Sequence, residues 1–204
     1  MPISRAWASL SIGLAMAALA LWSVPREALD WQPALAATQP WRLWTAAFVH
    51  LSPQHLQANL LGCAVVAVFG LVAGVSRSAL WAWLAAWPLT HAALALQPQL
   101  LHYGGLSGLL HAGVAVAASQ LAWREQGHRR LIGWAVLAGL AAKLLGEQAW
   151  LGPTQLVAGW DIRIAPLAHL SGAIAGLLCS AIALALTAPR AGPAHHAPTN
   201  PQLP

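Results

Sequence analysis

The chain has 204 residues, of which 58% are hydrophobic and only 7% are charged, whereas an average soluble domain has roughly 25% charged residues. With a mean hydropathy of +0.60, this composition excludes a soluble globular protein and predicts an integral membrane protein. The net charge of +5 is typical of membrane topology, and we expect no nucleic-acid partner because no basic stripe is present.

Long stretches without charged residues predict the membrane spans. A helix needs roughly 20 apolar residues to cross a bilayer, and the charge-free stretches supply five such segments, with a sixth interrupted by only two charges. This pattern predicts an all-α integral membrane protein in which residues 1–187 form one domain. Its six spans are predicted at about 7–24, 54–75, 79–96, 105–123, 131–149 and 165–187.

The segments outside these spans are predicted from composition. The first span could instead be a cleaved signal peptide, since Ala34-Leu35-Ala36 fits a cleavage pattern, but a first span retained in the chain can serve as the targeting signal. In the loop that follows, prolines together with Trp31, Trp41 and Trp44 predict a segment lying in the membrane interface. Residues 188–204 contain five prolines and are predicted to be a disordered tail.

The distribution of arginines predicts the orientation. If both termini lie on one side of the membrane, that side has six loop or terminal arginines and the opposite side has three. Because basic residues are enriched in cytoplasmic loops, both termini are predicted to be cytoplasmic. The six are Arg5, Arg77, Arg124, Arg129, Arg130 and Arg190, against Arg26, Arg42 and Arg163.

Polar side chains within the spans indicate a functional site, because polar groups in a membrane are costly. His55 and Asn59 lie one helical turn apart in the second span, Ser107 follows a glycine-rich turn at the start of the fourth, and His169 lies in the sixth. Asn59, Ser107 and His169 each precede the next cytoplasmic arginine by about 17 to 21 residues, or roughly 26–32 Å of helix. Their similar depth permits one site that opens on the non-cytoplasmic side.

These residue types suggest hydrolysis through a serine nucleophile. A serine hydroxyl needs a base to remove its proton, and His169 is the candidate base for Ser107. The helix start at Ser107 and the side chains of His55 and Asn59 could stabilise an oxyanion.

Glycines around these positions predict close backbone contacts. Gly105 and Gly108 leave the turn around Ser107 open. The small-xxx-small spacing of Gly172 and Gly176 predicts that the sixth span lies tightly against a neighbour and brings His169 to the serine.

Other catalytic chemistries are less consistent with the sequence. Asp30 and Asp161 lie in loops and no H-E-x-x-H motif occurs, so aspartyl or metal-dependent proteolysis is not expected, and we predict no metal and no cofactor. With no carboxylate expected beside His169, a Ser-His dyad is predicted. Lys143 and Glu147, four residues apart in the fifth span, are interpreted as an ion pair or as a contact for a polar or charged end of a substrate.

Two other protein classes are less consistent with the sequence. A transporter or channel would be expected to show an internal repeat and a polar path across the whole bilayer, whereas the polar residues here cluster at one depth. A non-catalytic protein that binds membrane clients would be expected to lack the serine or the histidine.

Four motifs in chain order resemble those of the rhomboid family of intramembrane serine proteases. They are Trp41-Arg42-x-x-Thr45-x-x-Phe48-x-His50, His55-x-x-x-Asn59, Gly105-x-Ser107-Gly108 and Ala168-His169-x-x-Gly172-x-x-x-Gly176. The resemblance implies a six-helix rhomboid-like bundle, with Ser107 as nucleophile, His169 as base, and His55, Asn59 and the Ser107 backbone N–H as the oxyanion hole. His111 departs from the family pattern, in which an aromatic residue often packs on the catalytic histidine; from its place one turn below Ser107, it could bond or stack there.

Within the family, residues 102–111 and 165–172 are most similar to the rhombosortase branch. This resemblance implies a bacterial inner-membrane enzyme with its active site facing the periplasm. Its implied partners are the lipid bilayer and single-span membrane proteins with a C-terminal Gly-Gly sorting signal. A rhomboid protease with other substrates is the alternative.

Overall fold

The computed structural model describes residues 3–188, which form seven α-helices joined by loops and 3-10 turns. Nearly all of the predicted disordered tail, residues 188–204, lies outside the described residues. The helices are α1 (Ile3–Ala20), α2 (Arg42–Thr45), α3 (Pro53–Ala73), α4 (Arg77–Ala92), α5 (Ser107–Arg124), α6 (Gly127–Glu147) and α7 (Pro166–Leu186).

Six of these helices overlap the six predicted spans, and α2 is a single short turn in the first loop. Four are long and apolar enough to cross a membrane: α3, α4 with its 3-10 continuation to Leu96, α6 with its continuation to Leu151, and α7. The helices α1 and α5 have 18 residues each. Most of α5 is buried by other helices, so its small residues serve packing between helices rather than contact with lipid.

Local sequence explains where the helices begin. Ser52 precedes α3 in extended conformation and its hydroxyl accepts a hydrogen bond from the His55 backbone N–H, while Pro53 occupies the first helical position. The Ser76 hydroxyl caps α4 in the same way, by accepting from Ala79. Such caps satisfy backbone donors that have no partner within the helix. The start of α3 therefore lies at a defined position, which orients His55 and Asn59.

The bundle is built around α5, which packs most extensively against α7 and also contacts α3, α4 and α6. On the far side, α1 packs on α3, where the Trp7 indole donates to the Val66 carbonyl over 2.9 Å. The helix α6 lies along α5 and has few contacts with α7. The space beside α6 therefore remains open toward the centre of the bundle.

The first loop folds onto the segment that leads into α5. Trp31 is 1% exposed and its backbone pairs with Tyr103 in an antiparallel bridge, so its side chain packs inside the protein. Trp41 and Trp44 are about half exposed, as an interfacial position requires. The buried Arg42 guanidinium pairs with Asp30 over 3.0 Å, and this pair holds the loop in place.

Candidate active site

Ser107 is the first residue of α5, and the turn before it depends on a glycine. Gly105 has φ 131°, and its N–H donates to the Ala46 carbonyl over 2.9 Å. A Cβ atom at Gly105 would lie 2.7 Å from His55 Nε2. Only glycine combines this backbone conformation with so close a contact, so Gly105 brings the serine turn directly against α3.

His169 lies near the start of α7 and its Nε2 is 3.0 Å from Ser107 Oγ. The close packing of α5 and α7 permits this distance, because a Cβ atom at Gly172 would lie 2.0 Å from the Gly108 carbonyl oxygen. Gly176 makes a similar approach to Ala112, one turn further along. The close contact expected from the small-residue spacing is thus made with α5.

A carboxylate lies beside His169, contrary to the expectation of a dyad. Glu147 Oε2 is 2.9 Å from His169 Nδ1, while Glu147 Oε1 accepts from Lys143 Nζ over 2.5 Å. The predicted i,i+4 ion pair of Lys143 with Glu147 is therefore present, but the pair is also joined to the histidine. The spacing of two residues on one helix cannot show that α6 brings its last turn against α7, so the third partner escaped prediction.

The ring of His111 covers one face of the His169 ring. Its ring stacks on that of His169 with centroids 4.4 Å apart and planes 10° apart. Its Nδ1 lies 2.6 Å from the Ser107 carbonyl oxygen, which accepts hydrogen bonds only, so Nδ1 carries the proton. His111 therefore both bonds and stacks at this position, and it restrains the plane of the His169 ring.

His55 and Asn59 are buried on α3 and face the same cavity as Ser107. The Leu51 N–H donates to His55 Nδ1 over 3.3 Å, which leaves the ring proton on Nε2, the atom nearest Gly105. One amide hydrogen of Asn59 is donated to the His55 carbonyl over 3.0 Å. Its second amide hydrogen has no acceptor among residues 3–188, so both residues have a donor available for the cavity.

The cavity has a volume of about 1040 Å³ and lies between α3 and α6. The part of the cavity further from Ser107 is apolar, with Val65 on α3 and Leu140 on α6. The part around Ser107 contains the polar groups described above. The loop between α6 and α7 borders it from above, where Asp161 accepts from the Ser52 hydroxyl over 2.7 Å. The cavity lining therefore combines polar side chains near Ser107 with apolar side chains further along α3 and α6.

Two groups in the loops near the site are kept neutral by burial. Desolvation raises the pKa of Tyr103 to about 12, and its hydroxyl donates to the Gly105 carbonyl over 3.3 Å. Desolvation lowers the pKa of His50, whose Nδ1 lies 3.1 Å from the Phe48 carbonyl oxygen. Both side chains act as neutral hydrogen-bond donors that support the turn and the start of α3.

His111, Glu147 and His169 are the three possible metal ligands that lie together among residues 3–188, with their ligand atoms within 4.8 Å of one another. A metal ion lies close to the plane of each imidazole that binds it, at about 2.0–2.1 Å. Two nearly parallel stacked rings cannot both meet that condition without turning. The observed arrangement thus fits the hydrogen bonds from Glu147 to His169 and from His169 to Ser107 better than it fits shared metal ligation.

Two supporting residues were not predicted from the sequence. Asp30 was assigned only to a loop, yet it is 2% exposed and pairs with Arg42. His91, near the end of α4, is fully buried and its Nδ1 lies 2.6 Å from the Leu43 carbonyl oxygen. In both cases, a charged or polar residue in so apolar a sequence was the signal that could have indicated a buried, hydrogen-bonded position.

The fold and the site together define a class of helical membrane protein with a serine and a histidine in hydrogen-bond contact in an internal cavity. The family model for the rhomboid domain matches residues 37–186, which is most of the chain. No curated protein matches the chain. The chain therefore belongs to the rhomboid family, and this membership supports an intramembrane serine protease.

Proposed function

We propose that the protein is an intramembrane serine endopeptidase in which Ser107 is the nucleophile and His169 the general base. The observation that carries this proposal is the 3.0 Å contact between Ser107 Oγ and His169 Nε2 in a cavity inside a helical membrane bundle. This separation lies within the range required for proton transfer between a nucleophile and its base. Family membership is independent support.

The reaction follows from the positions of the donors and acceptors. His169 Nε2 takes the proton from Ser107 Oγ as the new C–O bond forms, and the carbonyl electron pair moves onto oxygen. The protonated His169 then donates to the leaving amine as the C–N bond breaks. Water, activated by His169, releases the acyl group from Ser107.

The developing oxyanion has three candidate donors: His55 Nε2–H, the free Asn59 amide hydrogen and the Ser107 backbone N–H. The backbone N–H groups in the first turn of α5 have no partner within the helix, and the helix dipole favours negative charge there. Removal of a single oxyanion donor typically lowers the rate by about 100- to 1,000-fold.

The position of the cavity suggests how a substrate reaches the serine. It is bordered by α3 on one side and α6 on the other, and small residues such as Gly62 and Gly139 line it on both. A single-span substrate could therefore enter between these helices and extend its cleavage site toward Ser107. We propose six membrane crossings with both termini in the cytoplasm and an active site that opens to the periplasm, as the arginine distribution predicts.

For the substrate, we propose single-span bacterial proteins with a C-terminal Gly-Gly signal. The support is the similarity of residues 102–111 and 165–172 to the rhombosortase branch. A suitable test is co-expression with such a substrate and detection of a size shift that requires both Ser107 and His169. Cleavage of unrelated single-span proteins but not of this substrate would favour a rhomboid protease of other specificity.

Labelling with a fluorophosphonate probe tests the catalytic proposal. The purified wild-type protein should label and Ser107→Ala should not, since the activated serine oxygen forms a bond to the phosphorus of the probe and displaces fluoride, which leaves a phosphonylated serine. Ser119→Ala is the matched control, because Ser119 is a buried serine of the same helix whose hydroxyl has no partner among the described residues, and this variant should label like wild type. Failure of the wild type to label, or equal labelling of Ser107→Ala, would instead favour a client-binding protein or a transporter.

A further inference from the structure

Three ionisable side chains form a continuous chain of hydrogen bonds that ends at Ser107. Lys143 donates to one oxygen of Glu147, and the other oxygen lies 2.9 Å from His169 Nδ1. His169 Nε2 in turn lies 3.0 Å from the serine hydroxyl. Both carboxylate oxygens of Glu147 and both ring nitrogens of His169 therefore have a partner in this chain of hydrogen bonds. The chain runs from Lys143 and Glu147 on α6, through His169 on α7, to Ser107 on α5.

We infer that Glu147 is the positioning residue of a Ser107–His169–Glu147 triad, and that Lys143 keeps its carboxylate charged and oriented. This inference rests on the proposed function, because Glu147 acts on the reaction only through His169. It assigns a catalytic purpose to the charged pair that the sequence left as either structural or substrate-binding.

The hydrogen bond to Glu147 selects the tautomer that catalysis requires. An ionised carboxylate only accepts hydrogen bonds, so the proton of neutral His169 lies on Nδ1. The Nε2 lone pair then points at the Ser107 hydroxyl and can accept its proton. The opposite tautomer would place an N–H against the hydroxyl and leave the serine without a base.

The same contact stabilises the charge that forms during the reaction. When His169 takes the serine proton it becomes an imidazolium next to a carboxylate. The His169 side chain is 12% exposed and that of Glu147 is 17% exposed, so little water screens their attraction. The developing oxyanion balances the imidazolium, and the whole chain of groups returns to its resting charge when the leaving amine is protonated.

Lys143 explains how the Glu147 carboxylate can remain ionised within a predicted membrane span. An isolated charge in a membrane is costly, and charged side chains in spans are usually paired. Lys143 lies one turn before Glu147 on α6 and binds the oxygen that His169 does not use. A purely structural i,i+4 pair would not require the second oxygen to meet the histidine of the site.

His111 restricts His169 from the α5 side without competing for the same atoms. Its ring stacks on His169, while its own Nδ1 is engaged with the Ser107 carbonyl. Glu147 therefore bonds the edge of the His169 ring, and His111 covers its face. Together they leave Nε2 directed at the serine.

Replacement of Glu147 by Gln tests the inference. The fluorophosphonate labelling rate and kcat on a transmembrane peptide substrate should fall by about 100-fold or more, since loss of the equivalent carboxylate in a serine protease costs up to about 10⁴-fold. KM should stay within about threefold of wild type, because Glu147 acts on the base and not on the substrate. Lys143→Met should lower kcat in the same direction by a smaller factor.

The matched control is Glu125→Gln. Glu125 also forms an i,i+4 pair, with Arg129 over 3.1 Å, but at the opposite end of the bundle, and its variant should label at the wild-type rate. A Glu147→Gln rate within about threefold of wild type, or a change in KM alone, would overturn the inference while Ser107 labelling still supports the proposed function. Loss of labelling in wild type, or equal labelling of Ser107→Ala, would overturn the proposed function itself.

Nitrogen NMR of histidine reads the tautomer in the wild-type protein itself, and a variant is needed only to assign the His169 signals. The His169 signals are identified by their loss in His169→Gln. Neutral His169 should carry its proton on Nδ1, with the proton signal shifted downfield by the bond to Glu147. A proton on Nε2 would overturn the inference.

Discussion

At the scale of single residues, burial determines which polar side chains near the site stay neutral. His50 precedes α3 and is 9% exposed. Its Nδ1 bonds the Phe48 carbonyl, whereas its Nε2 is buried without a partner among the described residues. Protonation would add an unsatisfied buried N–H, and desolvation accordingly lowers the pKa of His50. Its neutral form is therefore part of the stable structure.

This lowered pKa predicts an acid-sensitive contribution to stability. In the unfolded chain His50 takes up a proton near its ordinary pKa of about 6.5, while the folded protein resists it. The contribution of neutral His50 is thus complete above about pH 6.5 and decreases as the pH falls toward the lowered pKa. In His50→Asn, whose amide can still donate to Phe48, the free energy of unfolding should depend less steeply on pH below 6.5.

Denaturant unfolding at several pH values measures this effect. His128→Asn is the control, because His128 is exposed at the start of α6 and the variant should keep the wild-type pH dependence. An identical pH dependence in His50→Asn and wild type would contradict the prediction.

At the scale of elements, the contact between α5 and α7 determines whether serine and histidine meet. Backbone lies directly against backbone where Gly172 of α7 meets Gly108 of α5. Overfilling a packed contact usually costs about 1–3 kcal/mol, and a displaced backbone also moves the residues attached to it. The alignment of the two site residues is therefore sensitive to a single methyl group.

Gly172→Ala tests this dependence. Its Cβ atom would lie 2.0 Å from the Gly108 carbonyl oxygen, so the helices must separate. We expect the free energy of unfolding to fall by about 3 kcal/mol and fluorophosphonate labelling to be largely lost. Thermal unfolding in detergent and the labelling rate are the measurements.

Gly13→Ala is the control for a helical glycine. A Cβ atom at Gly13 on α1 would have no atom within 4 Å, and alanine favours the helix by up to about 1 kcal/mol. This variant should retain both stability and labelling. Full labelling of Gly172→Ala would show that the site tolerates separation of α5 and α7.

At the scale of the whole molecule, the proposed orientation predicts which loops face the periplasm. Thr38 lies exposed in the first loop and His128 lies exposed at the start of α6. Single cysteines at these positions can be detected against a low background, because Cys63 and Cys179 are buried. In spheroplasts, a membrane-impermeant maleimide should modify Thr38→Cys, and should modify His128→Cys only after lysis.

Retained fluorophosphonate labelling of both cysteine variants would show that each is folded. Modification of His128→Cys in intact spheroplasts, with protection of Thr38→Cys, would reverse the orientation and place the cavity on the cytoplasmic side. The wild-type protein should remain unmodified in both conditions.

Much of the helical organisation follows from local patterns. Five charge-free segments and a sixth with only two charges placed six helices to within a few residues, since hydropathy, helix caps and proline positions act over short distances along the chain. Ser107 and His169 were identified because a polar residue in so apolar a sequence needs a partner or a function. The burial of Trp31 and His91 was not predicted, because it depends on how the first loop folds back over α4 and the segment before α5, which no local pattern reports.

The sequence by itself determined that this is a helical membrane protein of low charge, with a serine, two histidines and an asparagine as the candidate site residues. Only the tertiary structure decided that Glu147 meets His169, that His111 stacks on the same ring, and that Asp30 holds Arg42. The physical reason is that hydropathy and helix signals act between near neighbours in the chain. Contacts between distant residues depend instead on the rotation and tilt of each helix, which the packing of glycines and buried side chains sets.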